Sequence, residues 1–276
     1  MPQSPENVPP IPDYSRLLDG KVVAVTGGGE GIGGAITSLF LQHGATVEIA
    51  EIDADRAAAS PASHATVLDV RDVDAVNGWA REVLERQGRV DVLVNNVGDY
   101  RPLVRFEQST PESWGQMFDT NFGHVLAVTR AFLDSMIERH HGVIVNVHSV
   151  EGLRGYPGEP VYGALKAATA KFTTDMAVRY GRDGIRVNGI GPDLTQSPQV
   201  DYLRTYDELD HLWESWAPVG RLGWPEDQAR VALFLASDMS SFVTGHNIPV
   251  DGGTKAGGGW FFSPNEGRFV NRPRGL

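Results

Sequence analysis

The chain has 276 residues, with 24 Lys and Arg against 35 Asp and Glu, a formal charge of −11. So acidic a balance excludes the concentrated basic footprint that phosphate backbones demand, and nucleic acid is not an expected partner. The absence of cysteine excludes disulfides, zinc–thiolate sites, iron–sulfur clusters and thiol nucleophiles, and points to a reducing cytoplasm.

In chain order, Met1–Pro12 holds five prolines without hydrophobic periodicity, which predicts an extended arm reaching to residue 17. Its composition lacks the basic-then-apolar order of a signal peptide. Short apolar runs then alternate with helical patterns. Lys21–Thr26, Thr46–Glu51, Ala65–Asp69, Val90–Asn95, Gly142–Val147 and Ile185–Ile190 are predicted strands. They are rich in β-branched residues and lack a polar alternate face, which predicts cover on both sides. Helices are predicted at 31–43, 72–87, 111–139, 159–181 and 225–237, and a short last strand at Asn247–Asp251. Such alternation predicts an α/β fold: one doubly wound parallel sheet of about seven strands, with helices on both faces, over residues 18–256. The stretch Gly257–Leu276 shows neither period and predicts an irregular tail. Nowhere does an apolar run reach the ~18–20 residues of a membrane span, so no membrane is expected as a partner.

Glycine makes up 32 of the residues, about 12% against a usual ~7%, and it gathers where the first strand ends: Thr26-Gly27-Gly28-Gly29-Glu30-Gly31-Ile32-Gly33-Gly34. A glycine turn between strand and helix removes side chains that would block a pyrophosphate and aims the helix N-terminus at it. Some twenty residues on, Glu51 ends the second strand, where a carboxylate accepts hydrogen bonds from adenosine ribose hydroxyls. With Glu30 it would repel a 2′-phosphate, so NAD(H) is expected over NADP(H). Arg56 is the one contrary feature, and pairing with Asp53 or Asp55 is expected to occupy it.

Tyr162 and Lys166 stand four apart in a helical pattern and project from one face. A phenol of pKa ~10 is a poor base near neutrality, and a neighbouring ammonium lowers that value. Ser149 follows the strand Gly142–Val147, at the end where open parallel sheets gather ligands.

The ordered set Thr26–Gly33, Asp69, Asn95-Asn96-Val97-Gly98, Asn121, Ser149, Tyr162-x-x-x-Lys166, Arg186-Val187-Asn188 and Pro192 resembles the short-chain dehydrogenase/reductase family over roughly residues 18–254. The resemblance implies a Rossmann fold and an NAD-dependent oxidoreductase that interconverts a secondary alcohol and its ketone. Tyr162 would be the acid/base, Ser149 would orient the substrate oxygen, and Lys166 would tune Tyr162 and bind the nicotinamide ribose. Asn121 would hold a water linking Lys166 to solvent, and Asn95 would be a bridge between strands. The cofactor would meet Gly27, Glu30, Gly31, Ile32, Gly33 and Glu51. Asp69 and Val70 would border the adenine, Asn96, Val97 and Gly98 the adenosine ribose, and Pro192, Thr195 and Ser197 the carboxamide end. Dimers or a homotetramer built on the helices at 111–139 and 159–181 are expected.

Three positions depart from the family pattern: Asp193 replaces a usual glycine, Ser197 a frequent threonine, and His148 a frequent serine. No metal site is expected, since the histidines show no i, i+4 pair. Segment 193–218 predicts a substrate lid bearing Tyr202, Leu203, Tyr206, Leu209, Leu212, Trp213 and Trp216. Trp260, Phe261 and Phe262, with Phe269, predict a tail that covers an active-site entrance. These aromatics favour an apolar, cyclic or aromatic substrate, with sugars or polyols as the alternative. A nucleotide-independent dehalogenase-like lyase and a non-catalytic NAD sensor are the readings from other classes.

Overall fold

The structure, a computed structural model, describes residues 14–102, 104–156, 158–198, 200, 215–258, 261–263 and 265–270. Seven parallel strands form one sheet: β1 (Val22–Thr26), β2 (Thr46–Glu51), β3 (His64–Val67), β4 (Val92–Asn95), β5 (Gly142–Val147), β6 (Ile185–Pro192) and β7 (Asn247–Val250). Their order is β3-β2-β1-β4-β5-β6-β7. Strand direction of travel reverses beside β1, which neighbours both β2 and β4. That switch opens a crevice at the strands' C-terminal ends, where α/β sheets bind ligands.

Successive residues of the central strands are buried on opposite faces of the sheet, as a two-sided core requires. Val23, Val25, Val47, Ile49, Val92 and Val94 face one core with α1 (Gly31–Gln42). Helix α7 (Pro225–Ala236) covers the same face through Ala229, Ala232 and Leu233. Val22, Ala24, Leu93, Ile144 and Val187 face the other, with Trp79, Phe132 and Met176. Those three belong to α3 (Val73–Gln87), α5 (His124–Glu138) and α6 (Pro160–Tyr180).

Several expectations are corrected. β3 is an edge strand and mostly exposed, because only one neighbour and one short helix, α2 (Ala54–Ala59), accompany it. The long helix expected at 111–139 is two helices, α4 (Pro111–Phe118) and α5, joined by a π turn at Asp119–Gly123. Leu18 is fully buried and Leu17 packs against the same core. In the tail, Phe261–Ser263 (β8) and Arg268–Val270 (β9) pair as an antiparallel hairpin rather than an irregular strap. Gly267 at φ 62° supplies its left-handed turn residue. Trp260 and the lid aromatics from Tyr202 to Trp213 lie outside the described residues.

Two motif residues tie the frame together. Asn95 Nδ2 donates to Thr129 Oγ1 at 3.0 Å and to Asn146 Oδ1 at 2.8 Å, the strand bridge expected of it. Arg186 Nη1 and Nη2 reach the Leu235 and Ser237 carbonyls and fasten β6 beneath α7. No described helix is long and apolar enough to cross a membrane.

Candidate active site

A cleft of about 940 Å³ runs along the C-terminal ends of the strands. At one end β1 turns through Gly27–Glu30 into α1. Gly27 and Gly31 hold φ of 62° and 58°, a region that side chains disfavour. Helix α1 starts with no side-chain cap and no acid in its first turn, so its leading N–H groups point to an anionic ligand. Gly33 acts at a distance: a Cβ there would strike the Gly27 carbonyl and the Asn96 amide, so its absence lets α1 close onto the loop. This cradle fits a pyrophosphate.

Beside it, buried Glu51 accepts from the Gly29 N–H at 3.1 Å and the Asp53 N–H at 3.2 Å. Arg56 stands among three carboxylates, at 3.4 Å from Glu30, 3.6 Å from Glu51 and 3.9 Å from Asp53. The expected partner Asp53 is thus the most distant of the three, because the loop folds Glu30 and Glu51 closer.

At the other end, β5 delivers Ser149 and α6 delivers Tyr162 and Lys166. Glu159 caps α6 by accepting from the Tyr162 N–H, which fixes the helix start where Tyr162 stands. Ser149 Oγ donates to the Pro192 carbonyl at 3.4 Å. Lys166 is fully buried, and burial lowers its pKa to about 8, partly offset by Asp99. Dense packing around the Tyr162 hydroxyl raises its pKa well above the ordinary phenol value, and the Ser149 hydroxyl only partly offsets this. The Lys166 ammonium sits over the ring, yet the Tyr162 shift runs upward rather than in the expected downward direction, because burial sets it and the Ser149 hydroxyl is what opposes it.

The cleft wall collects Gly27, Glu30, Gly31, Ile32, Glu51, Asp69, Val70, Asn96, Val97, Gly98, Ser149, Tyr162, Lys166, Pro192, Thr195 and Ser197. Gly33 and Asn121 stand behind that wall. Asn121 is fully buried in the π turn, donates to the Asp99 carbonyl at 2.8 Å, and accepts from the Asp99 N–H at 3.1 Å. Its own carbonyl accepts from Thr169 Oγ1 at 3.3 Å. A single π turn inside a helical run is how a chain re-aims one residue at a functional site.

The wall also holds Leu68, Thr120 and Tyr100, which sequence reasoning did not single out, and Tyr156, from the stretch after Ser149 that the family resemblance marks as substrate-contacting. Both tyrosines meet Tyr162 edge-on, with ring centroids 6.5 and 6.0 Å away. No spacing rule signals them, since each sits on a loop between elements. His148 also faces the cleft, while its ring packs over Gly189 and Gly191, where any Cβ would collide with it. Burial lowers its pKa to about 4. Among the described residues of the tail, none lines the cleft, and none forms a metal-ligating cluster.

A family model described as enoyl-(acyl carrier protein) reductase matches residues 27–255. The chain belongs to the short-chain dehydrogenase/reductase family. It is 39% identical over 248 residues to the 3-oxoacyl-(acyl-carrier-protein) reductase FabG of Chlamydia muridarum, covering 87% of this chain and 99% of that protein. The meso-2,3-butanediol dehydrogenase of Serratia marcescens is 36% identical over 248 residues, covering 88% and 97%. Among solved structures, levodione reductase superimposes with a TM-score of 0.80 at 30% identity, covering 87% of this chain and 99% of that one. This member of the family is an oxidoreductase whose glycine cradle suits the family's nicotinamide dinucleotide.

Proposed function

We propose that the protein is an NAD(H)-dependent oxidoreductase that interconverts a secondary alcohol and its ketone. The observation carrying this reading is the single cleft that joins the α1 cradle to Ser149, Tyr162 and Lys166. When bound, the nicotinamide ring supplies the hydride acceptor or donor. Tyr162 handles the proton at the substrate oxygen: it gives one to the forming alkoxide in reduction and receives one from the alcohol in oxidation. Its raised pKa makes the phenol the resting form, ready as acid. Ser149 holds the same oxygen by hydrogen bond. Lys166 contributes positive charge beneath the ring, and Asn121 positions the loop that carries Asp99 beside it.

The preference for NAD(H) rests on Glu30, Glu51 and Asp53, three carboxylates around one guanidinium, a net negative locus that opposes a 2′-phosphate. Tyr100, Tyr156 and Trp216 give the substrate end apolar walls that suit a carbon skeleton. Exposed Trp114 and Phe118 on α4, with Leu126 on α5 and Val178 on α6, support a homotetramer assembled through those helices. The test is cofactor titration with NAD and NADP, followed by turnover of a panel of secondary alcohols. Tighter binding of NADP overturns the cofactor assignment, and undiminished turnover by Tyr162→Phe overturns the mechanism.

A further inference from the structure

Asp193 follows Pro192 at the end of β6, where the family pattern has glycine, so its carboxylate is an addition to the substrate end of the cleft. It is deeply set, with a side chain only 7% exposed, and it lines the cleft beside Glu151, Tyr156 and Trp216. Three donors from three separate elements converge on one of its oxygens. Arg154 Nη2 reaches Oδ2 at 3.1 Å, Trp216 Nε1 at 3.3 Å and Thr254 Oγ1 at 2.5 Å. Among the described residues, no donor reaches Oδ1.

Arg154 is itself held from the other side. Its Nε and Nη2 donate to the Glu151 carboxylate at 3.2 and 2.6 Å. One guanidinium thus serves two carboxylates, and the Glu151–Arg154–Asp193 group keeps a net charge of −1 at the cleft wall. Such a wall rejects anionic substituents and leaves an acceptor in a poorly solvated place, where an unfilled hydrogen bond is costly. The acceptor is also close to the reacting position, because Ser149 Oγ contacts the carbonyl of Pro192, one peptide unit before Asp193.

We propose that Asp193 is a specificity-determining residue whose Oδ1 accepts a hydrogen bond from a second hydroxyl near the reacting carbon. The substrate is then a vicinal diol or the matching α-hydroxy ketone. This rests on the alcohol–ketone reading above, and it adds the substituent that the cleft selects. Trp216, Thr254 and Arg154 hold the carboxylate by Oδ2 so that Oδ1 is fixed in direction before substrate arrives, which strengthens discrimination.

The experiment compares kcat/KM for a vicinal diol, a monohydric secondary alcohol of equal carbon skeleton and a 3-hydroxycarboxylate, with NAD, in three proteins. These are the wild type, Asp193→Asn and Thr254→Val. The ratio of diol to monohydric alcohol is the readout, so any general loss of activity cancels. In the wild type the ratio is expected to exceed unity by about ten- to a hundredfold, the usual span for a charge-assisted hydrogen bond to substrate. The carboxylate is expected to be the poorest substrate. In Asp193→Asn the ratio falls about tenfold and the penalty on the carboxylate shrinks. Thr254→Val removes one strut from Oδ2 and keeps the preference above unity. A ratio near one in the wild type, or one unchanged by Asp193→Asn, overturns the proposal while leaving the alcohol–ketone reading in place. Failure of the wild type to turn over any alcohol or ketone overturns both.

Discussion

The Lys166 Nζ lies 5.5 Å from the centroid of the Tyr162 ring, over its face. This attraction between cation and π system joins two groups whose ionisation burial opposes, the phenol pushed up and the ammonium pulled down to about 8. The pair therefore rests as phenol and cation at neutral pH. Tyr162→Phe keeps the ring under the ammonium and removes only the transferable proton. Turnover should drop about 10²–10⁴-fold, the usual weight of general acid–base catalysis, while NAD binding by fluorescence quenching stays intact.

Lys166 also carries a stability cost. Its pKa falls from 10.5 unfolded to about 8 folded, so between these values the unfolded chain binds more protons. Stability of the cofactor-free protein then rises as pH climbs from about 8 to 10.5, and the lower level holds everywhere below. Lys166→Met should abolish turnover yet raise stability at pH 7 by on the order of 2–3 kcal/mol. It should also flatten the alkaline slope. Chemical denaturation at pH 7 and at pH 10 checks both signs.

Acid should act through two buried histidines. Burial lowers His124 to about 3 and His148 to about 4, from 6.5. Both stay neutral in the folded chain while the unfolded chain takes up protons below 6.5, so their stability contribution is full above that pH. It is lost progressively as pH falls toward 4 and then 3. His148→Ser, which installs the residue frequent at that position in the family, should reduce the loss between pH 6.5 and 4 in thermal melts.

Glu51 sets the cofactor test. Glu51→Gln keeps an acceptor for one of the Gly29 and Asp53 N–H groups, which now bond to separate carboxylate oxygens, and sets an amide NH2 against the other. It also removes one charge, which frees Arg56 to meet a phosphate. The ratio of NADP to NAD dissociation constants should fall by about tenfold, as one close charge contact implies. An unchanged ratio in isothermal titration would remove Glu51 from the discrimination.

Gly33 tests the cradle. Gly33→Ala places a methyl against the Gly27 carbonyl and Asn96 Nδ2, neither of which can yield without reshaping the loop. A cost of about 1–3 kcal/mol is expected from such overpacking, together with weakened NAD binding, read from melting curves with and without the dinucleotide.

What the sequence determined by itself is what neighbours along the chain decide. The alternation of β-branched runs and helical stretches specified the sheet. The glycine turn before α1 and the four-residue step from Tyr162 to Lys166 are likewise local, because each lies within a single turn or helix. Tertiary structure alone decided the rest. The π turn at Asp119–Gly123 interrupts a run whose hydrophobic period suggested one helix, since Asn121 gains its partners from Asp99, 22 residues away. The reversal of the Tyr162 shift comes from packing around the hydroxyl, which no spacing encodes. The fastening of Asp193 draws on residues 39, 23 and 61 positions distant. An isolated aspartate in the sequence gives no sign of which oxygen its neighbours leave for a ligand; only the folded sheet edge brings those three donors together.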